Sequence, residues 1–294
     1  MSSAPRWDVE GQGWPNRADS RFVEVGRVRW HVQTMGPENA PVLLLIHGTG
    51  AATHSWRDLA PLLATRFRVV ACDLPGHGFT RGRPAAGLTM AAMARAVADL
   101  LGVLGMAPAL IVGHSAGAAI GLRMVLDGLA APRAVVGLGA ALLPIPGLAG
   151  VLFPTLARML FVNPLAPHLF ARMARVPGET GRFLARSTAS RIDATGVSAY
   201  ERLFATAGHC AGAITMMADW DLPALRRDLG RVPVPVLLIH GAADAAIPLA
   251  HAHETATIIP TARVVSLAGL GHLVHEERAA DVAALITEFA TEVC

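Results

Sequence analysis

A doubly wound, mostly parallel α/β sheet is predicted for this chain from two observations. Short uninterrupted apolar runs recur at 42–46, 68–72, 109–112, 134–138, 234–239 and 263–267, the pattern of strands buried on both faces of a parallel sheet. Between them stand segments of helical spacing at 55–65, 89–104, 116–129 and 281–293, and alternating strands and helices build one sheet with helices on both sides. A third observation adds chemistry to the fold. The run Gly113-His114-Ser115-Ala116-Gly117 stands where one such strand turns into one such helix.

Taken in order, residues 1–20 form an N-terminal extension with Trp7, Asp8, Glu10, Trp14 and Arg17, and without the apolar core of a secretory leader. Segments 21–25 and 28–33 alternate polar and apolar around Gly26, which predicts an antiparallel hairpin. The parallel-type runs follow, and Thr89 is placed to cap the helix behind it. Between Leu143 and Trp220 the alternation stops. That stretch is rich in Leu, Met, Phe and Arg, with Pro164, Pro167 and Pro177 as breakers. Residues 143–220 are therefore read as a helical cap over the carboxyl ends of the strands, where open α/β sheets bind ligands. Residues 21–142 and 221–294 form the core on this reading.

Composition narrows the classes. A chain of 294 residues holds one large domain with an insertion, or two small ones. It is 53% hydrophobic and 16% charged, with mean hydropathy +0.44, which excludes disorder. The net charge is +3, but the arginines are scattered and no basic cluster interleaves with aromatics, so nucleic acid is not expected as a partner. Cys72, Cys210 and Cys294 lack metal-ligand spacing, and an odd, sparse count fits a reducing cytoplasm. The uncharged window 134–157 is long enough for a bilayer, yet Pro144, Pro146 and Pro154 with four glycines argue against a spanning helix. Peripheral membrane contact through an apolar cap is the expectation instead.

A strand, then a serine flanked by glycines, then a helix is the context of a nucleophile elbow. The pentapeptide by itself is weak in a chain with 29 glycines, and its plain alternative is a small-residue helix start against a sheet. Its partners decide. Serine hydrolysis needs a base and an acid that orients the base, and in the order Ser, Asp, His both follow the serine. Asp244 stands in the loop past the run ending at Ile239, and His272 stands in Gly269-Leu270-Gly271-His272, past the run ending at Leu267. All three then lie at one sheet edge. Asp244 could instead cap a helix near 248–257. His275 competes with His272 but lies on the way into the last helix. Asp73, in Asp73-Leu74-Pro75-Gly76-His77-Gly78, reads as a turn-shaping residue.

An oxyanion needs two preorganised N–H donors. Ala116 supplies one. Thr49, in His47-Gly48-Thr49-Gly50 after the first parallel-type run, supplies the other, with His47 read as a structural hydrogen-bonder. His54 either lines the pocket or faces solvent at a helix start. His114, Met216, Met217 and Trp220 are candidate pocket residues, and ordinary packing is the alternative for the methionines and the tryptophan. No metal and no cofactor is expected. No histidines form H-x-x-x-H or H-E-x-x-H on a helix, and the Gly-x-Gly runs at 48–50 and 137–139 lack the third glycine of a dinucleotide loop.

With these residues in hand the chain resembles the α/β-hydrolase superfamily from Arg21 to its C-terminus. A narrower resemblance rests on Trp14-Pro15-Asn16-Arg17, Ser20-Arg21-Phe22-Val23, Trp30-His31-Val32-Gln33, the stretch from His47 to Arg57, and Asp73-Leu74-Pro75-Gly76-His77-Gly78-Phe79-Thr80. These are similar to the magnesium chelatase accessory proteins of bacteriochlorophyll biosynthesis. That resemblance implies a pathway more than a mechanism: an apolar, tetrapyrrole-like substrate and magnesium chelatase subunits as partners. Two functions compete on this sequence. One is a serine hydrolase of an apolar ester-like substrate. The other is an accessory, tetrapyrrole-binding role with little hydrolysis of its own.

Overall fold

The computed structural model describes residues 4–144, 163 and 165–293. Among the described residues eight strands form one sheet: β1 (Ser20–Val25), β2 (Val28–Met35), β3 (Val42–Ile46), β4 (Arg68–Cys72), β5 (Pro108–His114), β6 (Ala134–Leu138), β7 (Val236–Gly241) and β8 (Ala262–Leu267). Their spatial order is β1-β2-β4-β3-β5-β6-β7-β8. The first two strands pair as an antiparallel hairpin, and β2 pairs antiparallel with β4. All other pairings are parallel. The expected fold class is the observed one, with strand ends shifted by one or two residues.

The central strands are apolar on both faces because both faces are covered. Leu44, Ile46, Val70, Ile111, Val135 and Leu238 pack with Met93 and Val97 of α2 (Met90–Leu104) and Ile120 and Met124 of α3 (Ala116–Leu126). Their chain neighbours Leu43, Leu45, Val69, Leu110, Val112, Val136 and Leu237 face the other way. They meet Leu59 and Leu63 of α1 (Leu59–Leu63) and Ile286 and Phe289 of the C-terminal helix (Ala279–Val293). This period-two division makes each strand a wall between two cores. The edge strands β1 and β8 have no fully buried residue.

Thr89 caps α2 as expected, its side chain accepting from the Ala92 N–H. The helix read at 55–65 is divided instead. A 3₁₀ turn at Thr53–Trp56 precedes α1, with Pro61 removing an N–H that a continuous helix would use.

Between β6 and β7 lie α4 (Ala166–Ala174), α5 (Glu179–Thr188), α6 (Ala194–Phe204) and α7 (Ala207–Ala218), followed by α8 (Leu222–Asp228). The proposed cap at 143–220 and the apolar window at 134–157 extend into residues outside those described. Among the described residues the other α-helices are α9 (Leu249–Ile258), α10 (Val274–Glu277) and α11 (Ala279–Val293). Helix α7 lies across the loops after β3 and β4. His209 on it donates from Nε2 to the Gly50 carbonyl at 3.0 Å and accepts the Gly78 N–H at Nδ1. A Cβ on Gly212 would fall 1.8 Å from the Gly76 carbonyl oxygen, so backbone meets backbone there. Among the described residues, no helix is long and apolar enough to cross a membrane.

Candidate active site

Ser115 occupies the junction of β5 and α3 with φ 52° and ψ −117°, a region that costs a non-glycine residue on the order of 1–3 kcal/mol. The flanking glycines are sterically required. A Cβ on Gly117 would lie 2.0 Å from the Ile46 carbonyl oxygen, and one on Gly113 would lie 2.4 Å from the Ala118 nitrogen. The first turn of α3 therefore presses directly on the ends of β3 and β5. The junction is held by two further bonds, from the Ser115 N–H to Leu138 and from the Ala141 N–H to the Ser115 carbonyl.

Ala116 is the first residue of α3, so its N–H has no acceptor within the helix. The loop after β3 comes up to the same point. A Cβ on Gly48 would stand 3.0 Å from the Ser115 Cβ. His47 fixes this loop while fully buried: Nδ1 donates to the Gly48 carbonyl and Nε2 accepts the Leu74 N–H. Burial holds its pKa below the ordinary histidine value. Thr49 follows, half-buried, with its hydroxyl 3.6 Å from the Met216 sulfur.

Asp244 lies in the loop after β7 with a fully buried side chain. Its Oδ1 accepts the N–H groups of Ala246 and Ile247, both at 2.8 Å, and its Oδ2 lies 2.7 Å from His272 Nδ1. Those bonds shape its own turn. The N-cap of α9 is Pro248, not Asp244. His240 also approaches Oδ2, at 3.3 Å, while its Nε2 donates to the Ile247 carbonyl.

His272 is seated by its main chain. Its N–H donates to Thr188 at the end of α5, and the next N–H, of Leu273, donates to the Ser190 hydroxyl. Its ring lies against Gly139, where a Cβ would stand 2.9 Å from Nδ1. Gly139 follows β6 directly, so His272 sits beside the strand next to the one that ends at Ser115. Among the described residues, Ser115 and His272 are not hydrogen-bonded to each other. Such contacts are often long without substrate.

His114 Nε2 donates to the His272 carbonyl at 3.2 Å, and the two rings lie 4.7 Å apart. Burial, reinforced by His275 and His272, holds His114 well below the ordinary histidine pKa. His275 is in α10, fully buried against His114 and Trp56, where burial pulls its pKa down to about 3. His54 does not face solvent. It is fully buried between Trp14 and Tyr200, and neither ring nitrogen has a hydrogen-bond partner. Met216 is buried, Trp220 is half-buried against the same core, and Met217 is 46% exposed on the other side of its helix turn.

Sequence reasoning missed three supports. Arg57, just past the 3₁₀ turn, is buried against the Glu276 carboxylate, which also accepts the Tyr200 hydroxyl at 2.8 Å. This ties α6 and α10 to the loop after β3. Asp73 shapes its turn, as read, but also accepts the Thr53 and Phe79 N–H groups and pairs with His31 at 2.8 Å. Burial alone would raise its carboxyl; the His31 and His47 rings and the Phe79 N–H outweigh this and hold it far below the usual range. Trp14, on the N-terminal extension, donates to Thr53 Oγ1 at 3.0 Å. Among the described residues, no three His, Cys, Asp or Glu side chains are grouped to hold a metal ion.

The chain is similar to known proteins in sequence and fold. The Magnesium-chelatase 30 kDa subunit of Rhodobacter capsulatus is 40% identical over 276 residues, 94% of this chain and 96% of the relative. The Pimeloyl-[acyl-carrier protein] methyl ester esterase of Aromatoleum aromaticum is 30% identical, over 85% of this chain and 98% of its own. Among solved structures, naproxen esterase from Bacillus subtilis superposes with a TM-score of 0.73 at 18% identity, covering 96% of this chain and 95% of the other, a likeness of fold. The sequence model described as the Alpha/beta hydrolase family matches residues 43–285. By that match, most of its length included, the chain belongs to the α/β hydrolase family.

Proposed function

We propose that this protein is a serine hydrolase of an apolar, ester-like substrate, acting beside magnesium chelatase in bacteriochlorophyll synthesis. The observation that carries the reading is the Asp244–His272 pair at 2.7 Å, in loops at the same carboxyl edge of the sheet as the strained Ser115. With Nδ1–H donating to Asp244, the His272 tautomer leaves Nε2 free to take the Ser115 proton. The hydroxyl oxygen then attacks the substrate carbonyl, and the oxyanion is met by the N–H groups of Ala116 and Thr49. His272 returns the proton to the leaving alkoxide, and a water activated by the same ring hydrolyses the acyl-serine. Asp244 orients the ring and stabilises its charged form. Residues 143–220 serve as the cap that shapes the substrate pocket, with His54, His114, Met216, Met217 and Trp220 as its candidate lining.

The test is turnover of p-nitrophenyl esters of increasing chain length. The wild type is expected to hydrolyse them, and Ser115→Ala to lose roughly 10³-fold or more in kcat. No turnover by the wild type, together with a Soret shift on porphyrin binding, would move the protein to an accessory role. The name of the Rhodobacter capsulatus relative favours that second reading, with a tetrapyrrole as ligand and chelatase subunits as partners.

A further inference from the structure

Helix α4 is built inside out. Leu169 and Met173 stand one turn apart on one face, 60% and 51% exposed, and Leu165 before the helix and Val176 after it are 70% and 50% exposed. Phe170 at the border of that face and Phe183 on the neighbouring α5 extend the patch, 45% and 52% exposed. The residues α4 buries are only Ala166 and Ala171. A soluble surface helix has the opposite division. Contiguous exposed apolar surface of this kind marks an interaction site.

Charge identifies what it fits. Residues 165–191 hold five arginines and one glutamate, a local net of +4 against +3 for the whole chain. The rest of the molecule is therefore near neutral, and the basic excess falls in the segment that carries the apolar face. Arg172 stands between Leu169 and Met173 on it, and Arg186 lies one turn beyond Phe183. Both are exposed. Arg182 is the residue engaged by Glu179. Large apolar side chains flanked by arginines are the make-up of a helix that lies in a membrane interface, its apolar side among the acyl chains and its cations at anionic headgroups.

We infer that α4 and the start of α5 dock this protein on an anionic bilayer surface, through Leu165, Leu169, Phe170, Met173 and Phe183, with Arg172 and Arg186 against headgroup phosphates. The face belongs to the same inserted helices as α5, whose end seats His272. A docked protein would thus receive an apolar substrate from the bilayer, a consequence that rests on the hydrolase reading while the docking itself does not.

The experiment is flotation of the full chain with phosphatidylcholine vesicles, with and without phosphatidylglycerol. Binding is expected to the anionic vesicles, to fall with rising salt, and to drop at least tenfold in Leu169→Glu/Met173→Glu. Arg172→Gln/Arg186→Gln should weaken it about 25-fold, roughly fivefold per arginine. Circular dichroism serves as the control and should be unchanged in all variants. No flotation of a wild type that still turns over esters overturns the docking and leaves the hydrolase intact. Flotation undiminished in the glutamate variant, or a dimer in sedimentation velocity that the same variant dissolves, also overturns it, the last assigning the face to a second copy of this chain.

Discussion

Gly117 stands so close to the Ile46 carbonyl that a single added carbon would lie 2.0 Å from the oxygen. The start of α3 is thereby fused to the end of β3, and the serine two residues earlier has no room to relax its dihedrals. Gly117→Ala is expected to abolish soluble folded protein, or to lower stability by several kcal/mol, since neither contact partner is a flexible side chain. Gly102, inside α2, meets nothing within 4 Å. Gly102→Ala should be neutral or stabilise by roughly 0.5–1 kcal/mol through helix propensity. Thermal unfolding of the two variants checks both.

Asp244 divides its two oxygens between its own turn and His272. Asp244→Asn can keep the Ala246 and Ile247 N–H groups satisfied while placing an amide where His272 needs an acceptor. The expected result is a folded protein with kcat lowered about 10⁴-fold. Asp244→Ala should lose activity and unfold at a lower temperature as well. Near-wild-type turnover by the Asn variant would remove Asp244 from the mechanism.

Arg57 and Glu276 are 219 positions apart and both buried. Removing one partner strands the other charge, so Arg57→Met should cost about 3–5 kcal/mol. Tyr200→Phe removes one hydrogen bond to the same carboxylate and should cost about 1 kcal/mol. Denaturant titration of the singles and of Arg57→Met/Glu276→Leu tests the coupling, with the double variant less destabilised than the sum of its parts.

Acid should loosen the helices over the site. His209 joins α7 to the Gly50 and Gly78 loops as a neutral ring, and burial pulls its pKa down to about 4. The unfolded chain binds this proton near pH 6.5, so between about 6.5 and 4 it holds more protons than the folded state. Stability is then complete above pH 6.5 and is lost as pH falls toward 4, on the order of 3 kcal/mol for this group. His275, His54, His77 and His114 act in the same direction, each lowered chiefly by burial. Unfolding midpoints at pH 8, 6 and 4.5 should fall in that order, and His209→Gln should flatten part of the slope.

The strands were legible because a run such as Leu43-Leu44-Leu45-Ile46 has only one solution, burial on both faces between helices. The positions of Asp244 and His272 were legible for the same reason, since a residue just past a parallel strand must lie at the carboxyl edge. Local pattern carried no sign of the Arg57–Glu276 pair or of Trp14 reaching Thr53. Such partners meet only after the sheet has closed. His54 was open to two readings because a histidine at a helix start is compatible with either environment, and burial between Trp14 and Tyr200 decides for the interior. Helix α4 was hard to read because its large apolar residues point outward, which removes the usual correspondence between periodicity and core.

The most direct test of Ser115 as nucleophile is labelling with a fluorophosphonate, located by peptide mass spectrometry. A single adduct on Ser115, absent in Ser115→Ala and slowed at least 10²-fold in His272→Ala, is the predicted result. A wild type that stays unlabelled, or an adduct on another residue that persists in Ser115→Ala, would contradict it.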